Sequence, residues 1–169
     1  MARTGGSSTG AGRRDALAAL LALLALAGLL LARLPLACAA DDRQAVVEMV
    51  EAAARALETY GFPRALEHGA DGTWARPDAG LYIFVLDRLG TLLLHPDRRM
   101  EGRNIAGVRD ADGKPFIRDI IVASVAHPGG VWTSYLWRSA TSGQLGTKHT
   151  YAKAVGDMIV CAGYVAAEA

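Results

Sequence analysis

The sequence predicts an α+β fold in which helices cover an antiparallel sheet. Three observations carry this. Apolar residues recur at helical spacing from Asp41 to about Tyr60. Five short apolar runs follow, Leu81 to Leu86, Thr91 to His95, Val131 to Arg138, Thr147 to Val155 and Met158 to Val165, and turn chemistry or a polar loop separates most of them. A proline-initiated helical stretch, Phe116 to Val125, lies between the second run and the third. That order predicts a small sheet with a polar and aromatic concavity.

In the first helix, Val46, Val50, Ala53, Ala54, Leu57 and Tyr60 form one stripe, with Arg43, Glu48, Glu51, Arg55 and Glu58 outside it. Asp41 and Asp42 suit its N-terminus, and Glu51 and Arg55 make an i,i+4 pair. Gly61 and Pro63 end it, and Arg64 to His68 adds one short helical turn. Leu81 to Leu86 is apolar on both faces, so both faces should be covered. Asp87-Arg88-Leu89-Gly90 is a turn, and Pro96 stops the returning strand. Asp97 to Lys114 is a long polar connection, a kind of loop that is usually functional. The second helix presents Phe116, Ile117, Ile120, Ile121 and Val125, and Gly129-Gly130 closes it. Ser139 to Gly146 is a hairpin loop and Gly156-Asp157 a two-residue turn.

The 169-residue chain has room for one domain plus a targeting segment. Arg3, Arg13 and Arg14 precede an unbroken run of Ala, Leu and one Gly from Ala16 to Ala32, and Ala37-Cys38-Ala39-Ala40 supplies small residues. These are the parts of a secretory signal peptide over residues 1–40, cut near Ala39 or Ala40; an uncleaved anchor is the alternative. A twin-arginine signal at Arg13-Arg14 and a lipidated Cys38 match less well. The domain is then residues 41–169, exported to the periplasm or secreted. Its charge is 14 basic against 16 acidic, since residues 1–40 remove four Arg and one Asp from totals of 18 and 17. No basic patch points to nucleic acid. Cys161 alone remains, so no internal disulfide forms, and its apolar run marks a core residue.

Several pieces taken together resemble the single Cache domain of the second type, a bacterial extracytoplasmic small-molecule sensor. They are Leu81-Tyr82-Ile83-Phe84-Val85 with Asp87 and Gly90, His95-Pro96 before Gly102-Arg103-Asn104, and Asp112-Gly113-Lys114-Pro115-Phe116. Gly130 to Trp137, Lys148 with Tyr151, and Cys161-Ala162-Gly163-Tyr164 complete them. The resemblance spans roughly Ala45 to Tyr164. It implies a long N-terminal helix packed on a twisted antiparallel PAS-like sheet with a connecting helix. It also implies a pocket for small carboxylates or related metabolites, in a receptor or sensor kinase. Only Ala166-Ala167-Glu168-Ala169 follows Val165, so binding is expected here and a separate membrane receptor or sensor kinase is expected to read it.

A small anion in an apolar cleft needs a few convergent donors and enclosing walls. Lys148 is the candidate counter-charge, or else a solvated hairpin lysine. Tyr135 and Trp137 alternate with Leu136 and share a face, as an aromatic wall or ordinary packing. Trp132, on the opposite face, is core. Tyr82 is assigned to the lining and Phe84 to the core. His95 donates to a ligand or caps the loop. Arg103 and Asn104 lie in the long loop, and Asn104 alternatively holds its backbone. Tyr151, three residues after Lys148, falls on the opposite strand face unless a bulge intervenes, so the two conflict as members of one site.

Chemistry finds no support. His68, His95, His127 and His149 are scattered without metal-ligand spacing, and there is no Gly-x-Ser-x-Gly elbow. Asp110 and Asp112 before Gly113 lack the closing glutamate of a calcium loop. The reading is a non-enzymatic binding module without cofactor or metal. A tethered or secreted interaction module without a ligand, or a small secreted enzyme, stands as the alternative.

Overall fold

The computed structural model describes residues 34–69, 72–138 and 143–166, with side chains from residue 41 onward. The export signal, its cleavage point and Cys38 lipidation therefore lie outside the described residues, as does the tip of the hairpin at 139–142. The first helix, α1, spans Leu34–Gly69. It begins seven residues before the predicted Asp41, because the Ala-rich segment ahead of Asp41 is itself helix-forming and Pro35 falls in the first turn, where its missing N–H costs nothing. Gly61, at φ 73° and ψ 166°, breaks the helix as expected, and a second helical stretch carries Pro63 to Gly69.

Strands β1 (Ala75–Arg76), β2 (Leu81–Asp87), β3 (Leu92–Leu94), β4 (Val131–Arg138), β5 (Leu145–Val155) and β6 (Met158–Val165) form one antiparallel sheet in the order β1-β2-β6-β5-β4, with β3 also on β2. A 3₁₀ turn, Pro77–Ala79, joins β1 to β2. The second helix, α2, spans Phe116–Ala126. This is the α+β Cache/PAS-like architecture that the sequence predicts.

Alternation along the strands sorts side chains onto two faces. One face takes Ile83, Val85, Tyr151, Val160, Ala162 and Tyr164, and packs on Val46, Met49, Val50, Ala53, Ala54 and Leu57 of α1. Each of these buried aliphatic chains contributes about 1.5–3 kcal/mol when large. Tyr60 departs from its predicted stripe: it is exposed and stacks on His68, with centroids 4.3 Å apart, because the Gly61 break turns the chain there. The other face takes Phe84, Leu86, Tyr135, Ile159 and Cys161, covered by Phe116, Ile117 and Ile120 of α2. Ser124, not Val125, completes the buried stripe of α2; Val125 is exposed, and the Ser124 hydroxyl donates back to the Ile121 carbonyl. Cys161 is free and fully buried, and burial pushes its thiol up.

The β3–α2 loop closes this second face. Asp97 caps a 3₁₀ turn, Arg98–Met100, by accepting from the Arg99 amide. Asp110 accepts from the amides of Asp112, Lys114 and Leu136, which ties the loop to β4. Met100 and Ile105 point inward from a segment whose composition is otherwise polar.

Candidate functional site

Lys148 stands opposite Tyr135 in the β4–β5 register, so its stem enters the α2-side face of the sheet. It is 4% exposed. Its Nζ donates to the Tyr82 hydroxyl at 3.1 Å. The ammonium lies 4.8 Å from the Tyr82 ring centroid, 5.1 Å from Trp137 and 5.9 Å from Phe84. Such cation–π contacts contribute about 0.5–2 kcal/mol each when desolvated. Among the described residues no carboxylate lies within ion-pair distance of Nζ. A buried cation held by rings and one phenol retains unused donor capacity.

Two hollows meet at this cation, and Tyr82, Trp137 and Lys148 line both. The inner chamber, about 100 Å³, is walled by Phe84, Leu92, His95, Met100, Ile105, Phe116 and Tyr135 among others. The outer cleft, about 450 Å³, lies where β2 begins and β6 finishes, and is walled by Asp42, Asp78, Gly80, Gly163 and Tyr164 among others.

Tyr135 is a wall. Its ring stacks on Phe116 at 4.1 Å, and its hydroxyl is engaged with Thr150 Oγ1 at 3.0 Å. Burial pushes its phenol well above the ordinary range. Trp137 packs edge-on against Tyr135, at 6.2 Å. His95 meets Tyr82 edge-to-face at 5.6 Å. His95 Nδ1 lies 3.0 Å from the Asp97 amide nitrogen and 3.3 Å from the Asp97 carbonyl, so Asp97 holds the ring from that side. Burial, with the Lys148 charge also acting in the same direction, lowers the His95 pKa.

The structure thus brings Tyr82, His95, Tyr135, Trp137 and Lys148 to one place and leaves three candidates outside it. Tyr151 lies on the α1 face, its hydroxyl 2.9 Å from the Gly129 carbonyl and 3.2 Å from Glu51 Oε1. No bulge interrupts the β4–β5 or β5–β6 register to rescue it. Asn104 holds the loop: its side-chain amide donates to the Leu89 carbonyl at 2.8 Å and its oxygen accepts from the Ala106 amide at 3.1 Å. Arg103 is exposed and lines neither hollow; its carbonyl accepts from Leu92. Trp132 packs on the α1 face, as expected. Phe84, assigned to the core, also lines the chamber. Asp42, Met100, Ile105 and Phe116 are additions. The only sequence signal for Met100 and Ile105 was an isolated apolar residue inside a polar loop.

The Single Cache domain 2 family model matches residues 67–163. The chain belongs to this family. Cache domains of this kind are extracellular sensor modules that bind ligands and do not catalyse reactions. Solved relatives agree in fold. The periplasmic sensor domain of a chemotaxis protein superposes with a TM-score of 0.57 at 21% identity, over 81% of this chain and 98% of its own. A methyl-accepting chemotaxis protein from Vibrio parahaemolyticus superposes with a TM-score of 0.60 at 21% identity, over 80% and 95%. A Cache chemosensory domain solved to explain carboxylic acid recognition gives 0.60 at 17% identity, over 76% and 95%. No curated protein sequence matches the chain significantly. No helix among the described residues is long and apolar enough to cross a membrane.

Proposed function

We propose that this Cache domain binds a small carboxylate outside the cytoplasm, with the anion seated on Lys148. One observation carries the reading: an almost fully buried ammonium faces two hollows without a carboxylate partner among the described residues. A desolvated charge without a counter-ion is costly, and a ligand anion offsets that cost. The Tyr82 hydroxyl, which accepts from Lys148 and keeps its own proton to donate, and the His95 ring border the same space. Trp137, Tyr135 and Phe116 exclude water, which strengthens each charge-assisted contact. Two or three such contacts, at about 1.5–3 kcal/mol each, with burial of a short tail, suit micromolar affinity.

Occupancy rather than turnover is the output on this reading, in keeping with the Cache family to which the chain belongs. A membrane receptor or sensor kinase is the partner that reads occupancy, in keeping with the chemotaxis receptors that share the fold. Export to the periplasm places the site where such ligands arrive. A thermal-shift series with propionate, other short carboxylates and their neutral amides tests the reading. Carboxylates raise the melting temperature and the amides do not. No shift with any carboxylate, or equal shifts with the amides, overturns it.

A further inference from the structure

The charges around the Lys148 ammonium are not all of one kind. The outer cleft has two carboxylates in its wall, Asp42 from α1 and Asp78 from the 3₁₀ turn before β2, together with the buried Lys148. Neither aspartate has a basic group within 4.0 Å among the described residues, Lys148 included. The cleft, about 450 Å³, therefore has a buried cation and an acidic rim, with Asp78 exposed and Asp42 half-buried. The inner chamber carries no carboxylate and is walled by aliphatic and aromatic side chains apart from His95, Lys148 and the Tyr82 hydroxyl. Lys148, Tyr82 and Trp137 border both spaces.

We infer that the ligand of this site is a small aliphatic α-amino acid. This rests on the seating of a carboxylate at Lys148. A carboxylate at Nζ stands on the boundary between the hollows. The carbon next to it has a polar side and an apolar side to serve. An ammonium group there faces Asp42 and Asp78 through the outer cleft. A short aliphatic side chain suits the inner chamber, about 100 Å³ and walled by Phe84, Leu92, Met100, Ile105 and Phe116. Alanine and valine are the simplest ligands of that kind. A plain carboxylate satisfies Lys148 but leaves the acidic rim without a cation. An amine without a carboxylate meets the rim and is repelled by Lys148. Burial, reinforced by neighbouring Asp41, raises the Asp42 carboxyl, so a cation beside it is favoured.

Isothermal titration of the full chain compares L-alanine with propionate and L-valine with 3-methylbutanoate, pairs that differ only by the amino group. The amino acids bind about tenfold tighter, the discrimination expected of a half-exposed charge-assisted contact. An Asp42→Asn/Asp78→Asn double variant, checked for native circular dichroism, lowers that preference to below about threefold and leaves propionate within about twofold of the wild type. The wild-type comparison stands without the variant. Propionate binding as tightly as alanine, or a double variant that keeps the full preference, overturns the amino-acid assignment and leaves the carboxylate reading intact. Failure of every acid in both sets overturns the carboxylate reading and this inference with it.

Discussion

Two lysines on β5, five positions apart, teach how this sheet divides its labour. Lys153 lies on the α1 face and is bonded to Glu51 Oε2 at 2.7 Å. That face is closed: Tyr151 joins the same carboxylate and the Gly129 carbonyl, and aliphatic side chains fill the rest. Lys148 points to the other face, more deeply buried, and holds a phenol and three rings in place of a carboxylate. One face fastens the helix to the sheet. The other keeps a cation in reserve beside open space.

The comparison is broken most easily at Lys148. Lys148→Met retains the stem and the packing and removes the charge, so carboxylate affinity falls by on the order of 100-fold in titration. The same substitution leaves stability unchanged or raises it, since it removes a buried cation that has no counter-ion within the described residues. A variant that binds carboxylates as before removes Lys148 from the site.

A second change sharpens the closed face. Gly130 adopts φ 99° and lies against the Tyr151 ring, leaving no room for a Cβ. Gly130→Ala therefore costs about 2 kcal/mol or more, read as a lower denaturation midpoint. A midpoint within error of wild type contradicts the close packing of that turn on β5.

The third change separates the lysines by their partners. Glu51→Gln leaves Lys153 without its anion and costs about 1 kcal/mol, an estimate kept small because both groups are partly exposed. Carboxylate affinity stays within about twofold, because Glu51 and Lys148 lie on opposite faces. A large loss of binding shows that the faces are coupled.

How much of this was legible in sequence depends on range. Strands β4 and β6 were read to the residue, because alternation and the flanking turns are local signals. The exclusion of Tyr151 from the Lys148 face was already implicit in strand parity. The start of α1 was missed because the residues before Asp41 read as an export signal, and helix propensity and signal composition share the same Ala-rich chemistry. Strand β1 was missed because two residues carry no period. The site was legible only in part. Lys148, Tyr82, His95, Trp137 and Tyr135 come from four different strands or their ends and were placed by family resemblance and face parity. Asp42 could not be placed, since only the return of β5 and β6 beneath the start of α1 brings it to the cleft. Asn104 was read as a donor or a brace, and its two backbone bonds make it the brace.

The smallest expected effect is a titration. His95 has its pKa lowered from the ordinary 6.5 by burial, and further by the nearby Lys148 charge. The unfolded chain therefore takes up this proton more readily than the folded one. Its contribution to stability is fully present above about pH 6.5 and is lost as the pH falls from there through the folded value. Ring-proton NMR reads a His95 midpoint below the ordinary 6.5, and Lys148→Met moves it upward. An unmoved midpoint in the variant shows that Lys148 does not act on His95.

The most direct measurement follows both lysine amines together. Nζ-selective NMR of the full chain during a titration with L-alanine, and separately with propionate, reports on Lys148 and Lys153 in one spectrum. The Lys148 signal should move saturably with the ligand while Lys153, held by Glu51, stays fixed. A static Lys148 signal at saturating acid, or equal movement of the two, would contradict the claim that the buried cation on the α2-side face is the anion seat.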